Sequence, residues 1–251
     1  MQDKHKTILR IVTVSAFWVG LWWLLAALVQ QEILIPTPLV VLKTTLKLLP
    51  EALFWRSVAF SLLRICVGFL TAMAVGTVLA VLTYRFSLVR ALFSPLLHII
   101  RAAPVASFII LALVWIDYDI IPAFIAFLMV LPIVWINMEE GIRQTDRHLL
   151  EMAALYRVPK RRVLSRLYLP AVKPFFLTAC LNGLSFAWKS GVAAEVICRP
   201  EFAIGNRLQA AKLLLETPEV FAWTAVVILL SLLLEKLLMR LTAHKKGGAS
   251  Q

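Results

Sequence analysis

Charge is scarce in this 251-residue chain: Asp, Glu, Lys and Arg make up 16% of it, against 61% hydrophobic residues, and the mean hydropathy is +0.85. A soluble globular domain is about one quarter charged, so the scarcity points away from that class and toward a polytopic membrane protein. Cysteine is scarce too. Cys66, Cys180 and Cys198 have no metal-ligand spacing, and two of them sit in apolar runs as small core residues. The histidines, His5, His98, His148 and His244, are scattered, so neither a metal constellation nor a catalytic dyad forms. No G-x-x-x-x-G-K-[ST] phosphate loop is present, so the chain cannot supply ATP chemistry by itself. Internal repeats and a second domain are also missing.

What charge there is carries position. The formal net charge is +12, which suggests nucleic acid until its distribution is read. Basic residues collect at Lys4, Lys6 and Arg10, at Arg85 and Arg90, from Arg143 to Arg166, and from Lys236 onward; the segments between hold few of them and several acids, such as Asp117 and Asp119. That alternation is the positive-inside pattern of a membrane protein, and it argues against nucleic acid as a partner. The apolar run 11–29 is too long for a signal-peptide core and long enough to span, so it is read as a retained first crossing with a cytoplasmic N-terminus. Six crossings follow at about 9–29, 55–83, 92–116, 119–139, 171–194 and 218–241, each near the ~20 residues a bilayer needs. Both termini and all the basic clusters then lie on one face.

Local patterns fill in the connections. Pro36 and Pro38 end the first helix and Pro38 opens a short one, with Leu39, Leu42, Leu46 and Leu49 opposite Lys43 and Lys47, suited to the outer interface. Gly68, Ala72, Gly76 and Ala80 form a stripe of small residues along which a neighbouring helix can pack closely. Pro95, Pro104, Pro122 and Pro132 punctuate the third and fourth crossings, as in a packed or cavity-lining pair. The tail from His244 to Gln251 is polar and expected to fray.

Between the fourth and fifth crossings lies a polar, basic island, 139–173. His148 to Tyr156 is a good helix former; Pro159 starts a second helix in which Val163, Leu164 and Leu167 oppose Lys160, Arg161, Arg162 and Arg166, and Pro170 is expected to end it. Here Glu151-Met152-Ala153, together with Leu169-Pro170, resembles the EAA loop of ABC importer permeases. Glu140-Gly141, the run FAWKSGVAAE at 186–195 and the ending at 218–241 are similar to the nitrate/sulfonate/taurine type of that family. The resemblance covers about 50–242. One departure is plain: Arg157 stands where the family has glycine, followed by Val158 and Pro159. A non-glycine residue pays a steric penalty at positive φ, so the turn is expected to move or to take another geometry set by Pro159.

The resemblance implies an all-α integral membrane protein of the type I ABC importer permease fold: one transmembrane domain over residues 1–251, six spans, and a cytoplasmic two-helix coupling segment at 140–170. It implies an inner-membrane transport subunit that is not itself an enzyme. The segment 145–170 would dock on a cytoplasmic ATPase dimer, through Glu151, Met152, Ala153, Arg157, Pro159, Leu169 and Pro170. That partner would use ATP and Mg²⁺, and this chain would bind no cofactor directly. A second permease copy, favoured as a homodimer, and an extracytoplasmic substrate-binding protein complete the set. The basic run 160–166 is also suited to anionic membrane lipid. Candidates for the translocation path are Arg101, Asn182, Ser185, Trp188, Lys189 and Glu195, because polar groups in a bilayer usually face a cavity or a partner. Arg101 would attract an anion or bind carbonyls freed at the break beside it, and Asn182, Ser185 and Trp188 would line a path or bond between helices. Arg64 and Lys189 are near enough to helix ends to snorkel. The substrate implied is a small anion such as a sulfonate or nitrate, or a small heterocyclic metabolite. Two other classes compete: a secondary transporter or channel, which predicts inverted repeats or a charge relay, neither of which is seen, and a membrane scaffold with an interfacial binding helix.

Overall fold

The computed structural model describes residues 2–243, with no side-chain description for 2–9, 11 and 241–243. The expected fraying from His244 onward lies outside the described residues. Among those residues all regular structure is helical. Helix α1 spans Gln2–Val29, α2 Pro38–Leu48, α3 Ala52–Arg85, α4 Ser87–Ala102, α5 Val105–Ala112, α6 Ile121–Arg143, α7 Arg147–Leu155, α8 Lys160–Val163, α9 Leu169–Cys198, α10 Ile204–Leu213 and α11 Thr217–Ala243. A π-helical turn, Leu164–Tyr168, joins α8 to α9. Five of these stretches are long and apolar enough to cross a membrane, and the pair α4 and α5, taken as one broken span, makes six.

The third crossing differs most from its expectation. The stretch drawn as one span at 92–116 bends by 106° between α4 and α5. Ala103 and Pro104 are both extended there, with ψ of 142° and 139°; Ala103, as the residue before proline, is pushed out of the helical region. The start of the fifth crossing is the second correction. Pro170 does not end the second coupling helix, since one helical run continues over Lys160–Cys198. Pro170 has no N–H, and its ring crowds the carbonyl four residues back. The π turn, where the Leu169 N–H reaches the carbonyl of Leu164, widens the coil just before that point and lets the helix proceed.

Helix α6 is the axis of the fold, packed on α3 along one side and α9 along the other. The small-residue stripe makes the first contact possible. Gly68, Ala72, Gly76 and Ala80 are all buried, and a Cβ on Gly68 would fall 2.2 Å from the carbonyl oxygen of Ala123 on α6. Aromatic pairs tie the last helix to the others, with Phe54 stacked on Trp223 at 5.1 Å and Trp22 on Phe221 at 5.8 Å. Helix α2 begins as expected, with Thr37 capping the Val40 N–H and Pro38 at its first turn. Its leucines Leu39, Leu42, Leu46 and Leu49 stay exposed, while Val41 and Leu48 turn inward.

Candidate functional site

The basic island builds a surface that the rest of the chain does not cover. Asp146 caps α7 by accepting the His148 N–H at 2.8 Å. None of the nine residues of α7 is buried. Met152, Leu155 and Tyr156 are 54%, 78% and 74% exposed and together give the end of α7 a bare apolar face. Glu151 is exposed beside them, Ala153 is half-buried, and Pro159, Leu169 and Pro170 are exposed along the second arm.

Arg157 overturns the expectation of a displaced turn. Its φ is +50°, the conformation glycine would take. The Val158 N–H reaches the carbonyl of Ala153 at 2.8 Å and the Arg157 N–H that of Ala154 at 3.1 Å, the bond pair of a Schellman ending. The turn keeps its geometry and Arg157 bears the strain. Arg157→Gly is therefore expected to firm this ending by about 1 kcal/mol. Hydrogen exchange at Val158 should slow about fivefold, the rate ratio for a local opening costlier by that amount; an unchanged rate would show that the strain is absorbed elsewhere.

Beneath the island, Glu139 gathers three helix ends. Its carboxylate accepts from Arg90 at 2.6 Å, Arg143 at 2.8 Å and Thr83 at 3.3 Å. Thr83 in turn accepts the indole N–H of Trp135 at 3.0 Å. Sequence reasoning treated Glu139 only as a boundary, because Arg90 and Thr83 lie 49 and 56 residues away.

Of the path candidates, three are exposed. Arg101, on the last turn of α4, borders a cleft of about 460 Å³ between the α4–α5 bend, α6 and α9, with Pro132, Asn137 and Phe186 among its walls. Asn182 and Lys189 are exposed on the same face of α9 as Phe186, at positions i, i+4 and i+7. The side chains of Arg101, Asn182 and Lys189 make no hydrogen bond among the described residues. The other three turn elsewhere. Trp188 is buried and donates to the Val227 carbonyl at 3.1 Å, and Ser185 donates to Glu235, so both tie α9 to α11.

Glu195 is fully buried on the far side of α9. It accepts from Ser61 Oγ at 2.8 Å and from the Gly205 N–H at 3.1 Å, while Ser61 Oγ accepts the Ile204 N–H at 2.9 Å. The pair thus anchors the start of α10 to α3 and α9. A Cβ on Gly205 would sit 2.5 Å from that of Glu195, so only glycine allows the approach. One turn along α3, Arg64 is held by three partners. It donates to Asp119 at 2.6 Å and to the carbonyls of Glu201 and Phe202 at 3.0 and 3.3 Å. Glu195→Ala should cost about 3 kcal/mol, since it strands buried donors and leaves a cavity, whereas Glu195→Gln keeps the acceptor and the volume and should cost less than half as much. Melting of the detergent-solubilised protein tests the order of the two; equal losses would refute it.

Residues 72–244 match the family described as binding-protein-dependent transport system inner membrane component. The chain is 29% identical over 224 residues to a probable ABC transporter permease protein of Brucella melitensis, covering 89% of this chain and 90% of that one. It is 26% identical over 237 residues to the taurine transport system permease protein of Escherichia coli, covering 90% and 86%. To the bicarbonate transport system permease protein of Synechococcus elongatus it is 29% identical over 160 residues, 62% of this chain and 56% of that one.

Proposed function

The chain belongs to the binding-protein-dependent transport system inner membrane components, the permeases of ABC importers, and from that premise we propose that it forms the translocation path of an ATP-driven importer and is coupled to a separate ATPase through residues 145–170. The observation that carries the coupling is the bare apolar face of α7, at the end of the fold where Arg85, Arg90, Arg143 and the island cluster. By the positive-inside rule that end is cytoplasmic, and so are both termini. Exposed Met152, Leu155 and Tyr156 would enter a groove on the ATPase, with Glu151 beside them, and ATP and Mg²⁺ would be consumed there.

Movement of the docked segment has a continuous route into the membrane, because α8, the π turn and α9 are one helical run. The face of α9 bearing Asn182, Phe186 and Lys189 would then meet the path and a second copy of the chain. The substrate is a small anion of the sulfonate or nitrate kind, or a small heterocyclic metabolite. Arg101 favours the anion: an unpaired guanidinium beside a largely apolar cleft is costly in a bilayer unless a counter-charge visits it. An extracytoplasmic binding protein would deliver the substrate at the opposite end, near Arg64 and α10.

Uptake into vesicles holding this chain with a co-expressed ATPase and binding protein tests the reading. ATP-dependent uptake that is lost when 151–167 is deleted is expected. Uptake without ATP, or retention of full activity after the deletion, would refute it.

A further inference from the structure

The elbow between the coupling segment and the fifth crossing encloses a second cavity, and its chemistry is unlike that of the Arg101 cleft. It is a groove of about 340 Å³, open along one side, between the end of α3, the end of α6 and the π turn. Val81, Tyr84, Ile142, Leu164, Leu169 and Val172 are among the residues lining it. Its wall is mostly aliphatic, with Thr77, Tyr84 and Tyr168 also lining it, and Arg85, the last residue of α3, is part of its lining. Arg85 is exposed and no carboxylate pairs with it among the described residues. Arg161, Arg162 and Arg166, all exposed, follow on the adjoining arm, also without acidic partners among the described residues.

We propose that this groove is a binding site for an anionic phospholipid of the cytoplasmic leaflet, with one acyl chain against the π turn and the headgroup on Arg85. The orientation rests on the reading of the basic end as cytoplasmic. Three observations favour lipid as the occupant. The groove lies where α3, α6 and α9 leave their apolar stretches, so a chain entering from the bilayer needs no passage through water. Aliphatic side chains make up most of its wall, which suits a hydrocarbon chain. The charge at its margin is of one sign and unneutralised, which selects an anionic headgroup over a zwitterionic one by about fivefold per basic residue.

The site has a mechanical consequence. Leu164, Tyr168 and Leu169 belong to the π turn or its first following residue, and the π turn is the widest point of the coil that carries motion from α8 to α9. A chain lodged against it holds the elbow at one angle.

Photolabelling of the purified full-length permease in nanodiscs tests the site, with a phosphatidylglycerol bearing a diazirine in its acyl chain and the matching phosphatidylcholine as comparator. Label is expected on peptides 77–85 and 164–172, about fivefold stronger for phosphatidylglycerol than for phosphatidylcholine. Arg85→Gln should erase most of that preference, and Leu169→Trp should lower labelling by both lipids by filling the groove, while label on the lipid-facing helix α1 stays constant as a check of folding. Equal labelling by the two headgroups in the parent protein, or protein–protein crosslinks at these peptides in place of lipid, would overturn the proposal. Labelling needs no ATP hydrolysis. A permease that binds lipid here but fails to couple would count against the transport reading alone, and one that couples without this label would count against the lipid site alone.

Discussion

Replacing Met152 and Leu155 together with glutamate is expected to abolish ATP-driven uptake while the permease accumulates in the membrane at its normal level. The two halves of this result have separate causes. The fold should not notice the change, because α7 contributes no buried residue, and substitutions on such surfaces usually stay within about 0.5 kcal/mol. Docking should notice it strongly. Apolar side chains that fill a partner's groove tend to be the few that carry binding, each costing about 2 kcal/mol or more when truncated. Two buried together, with charge brought in as well, correspond to roughly a thousandfold loss of affinity. The measurement is the ratio of co-purified ATPase to permease, beside uptake. Undiminished co-purification and uptake would mean that the partner grips the second arm, from Lys160 onward, and that the bare face of α7 has another use.

The island was legible for the same reason that it is functional: it departs from the composition around it. Hydropathy also marked the spans, and spacing alone found the stripe at Gly68, Ala72, Gly76 and Ala80, because close helix packing leaves a periodic trace. The break in the third crossing left no comparable trace. Pro95, Pro132 and Pro174 all sit inside helices that continue past them, and Pro122 lies in the first turn of α6. Among these five, only Pro104 falls at a sharp bend, and proline alone does not single it out. Partner choice was equally hidden. Spacing put Ser185 and Trp188 on one face of α9, yet nothing in that spacing says that the face meets α11. Arg64 looked like a residue near a helix end; its carbonyl partners lie 137 and 138 residues further on. Arg157 was visible as an anomaly but its outcome was not, since the strain of one left-handed residue is weighed against two backbone hydrogen bonds that only the folded turn reveals.

Gly68→Val is expected to prevent the permease from accumulating, whereas Gly20→Val should behave like the parent. Both sit in apolar crossings, so lipid solubility does not separate them. At Gly20 an added Cβ meets nothing within 4 Å. At Gly68 it would meet the Ala123 carbonyl oxygen at 2.2 Å and the Ala126 Cβ at 2.9 Å. The nearer atom is backbone of α6, which cannot swing aside as a side chain would. Relief requires α3 and α6 to separate, and that separation loosens the contacts of Gly76, Ala72 and Ala80 along the same seam. Overpacking in a core commonly costs 1–3 kcal/mol where side chains can yield. Against backbone at the axis of the fold, about 4 kcal/mol is expected, a large part of the 5–15 kcal/mol that holds a typical domain together. Membrane abundance and the melting temperature in detergent measure the effect, and equal values for the two variants would refute it. The seam matters beyond stability. Helix α6 carries Pro132 and Asn137 into the Arg101 cleft and Glu139 into the cluster beneath α7, so a shift of α6 away from α3 displaces the path and the coupling end together.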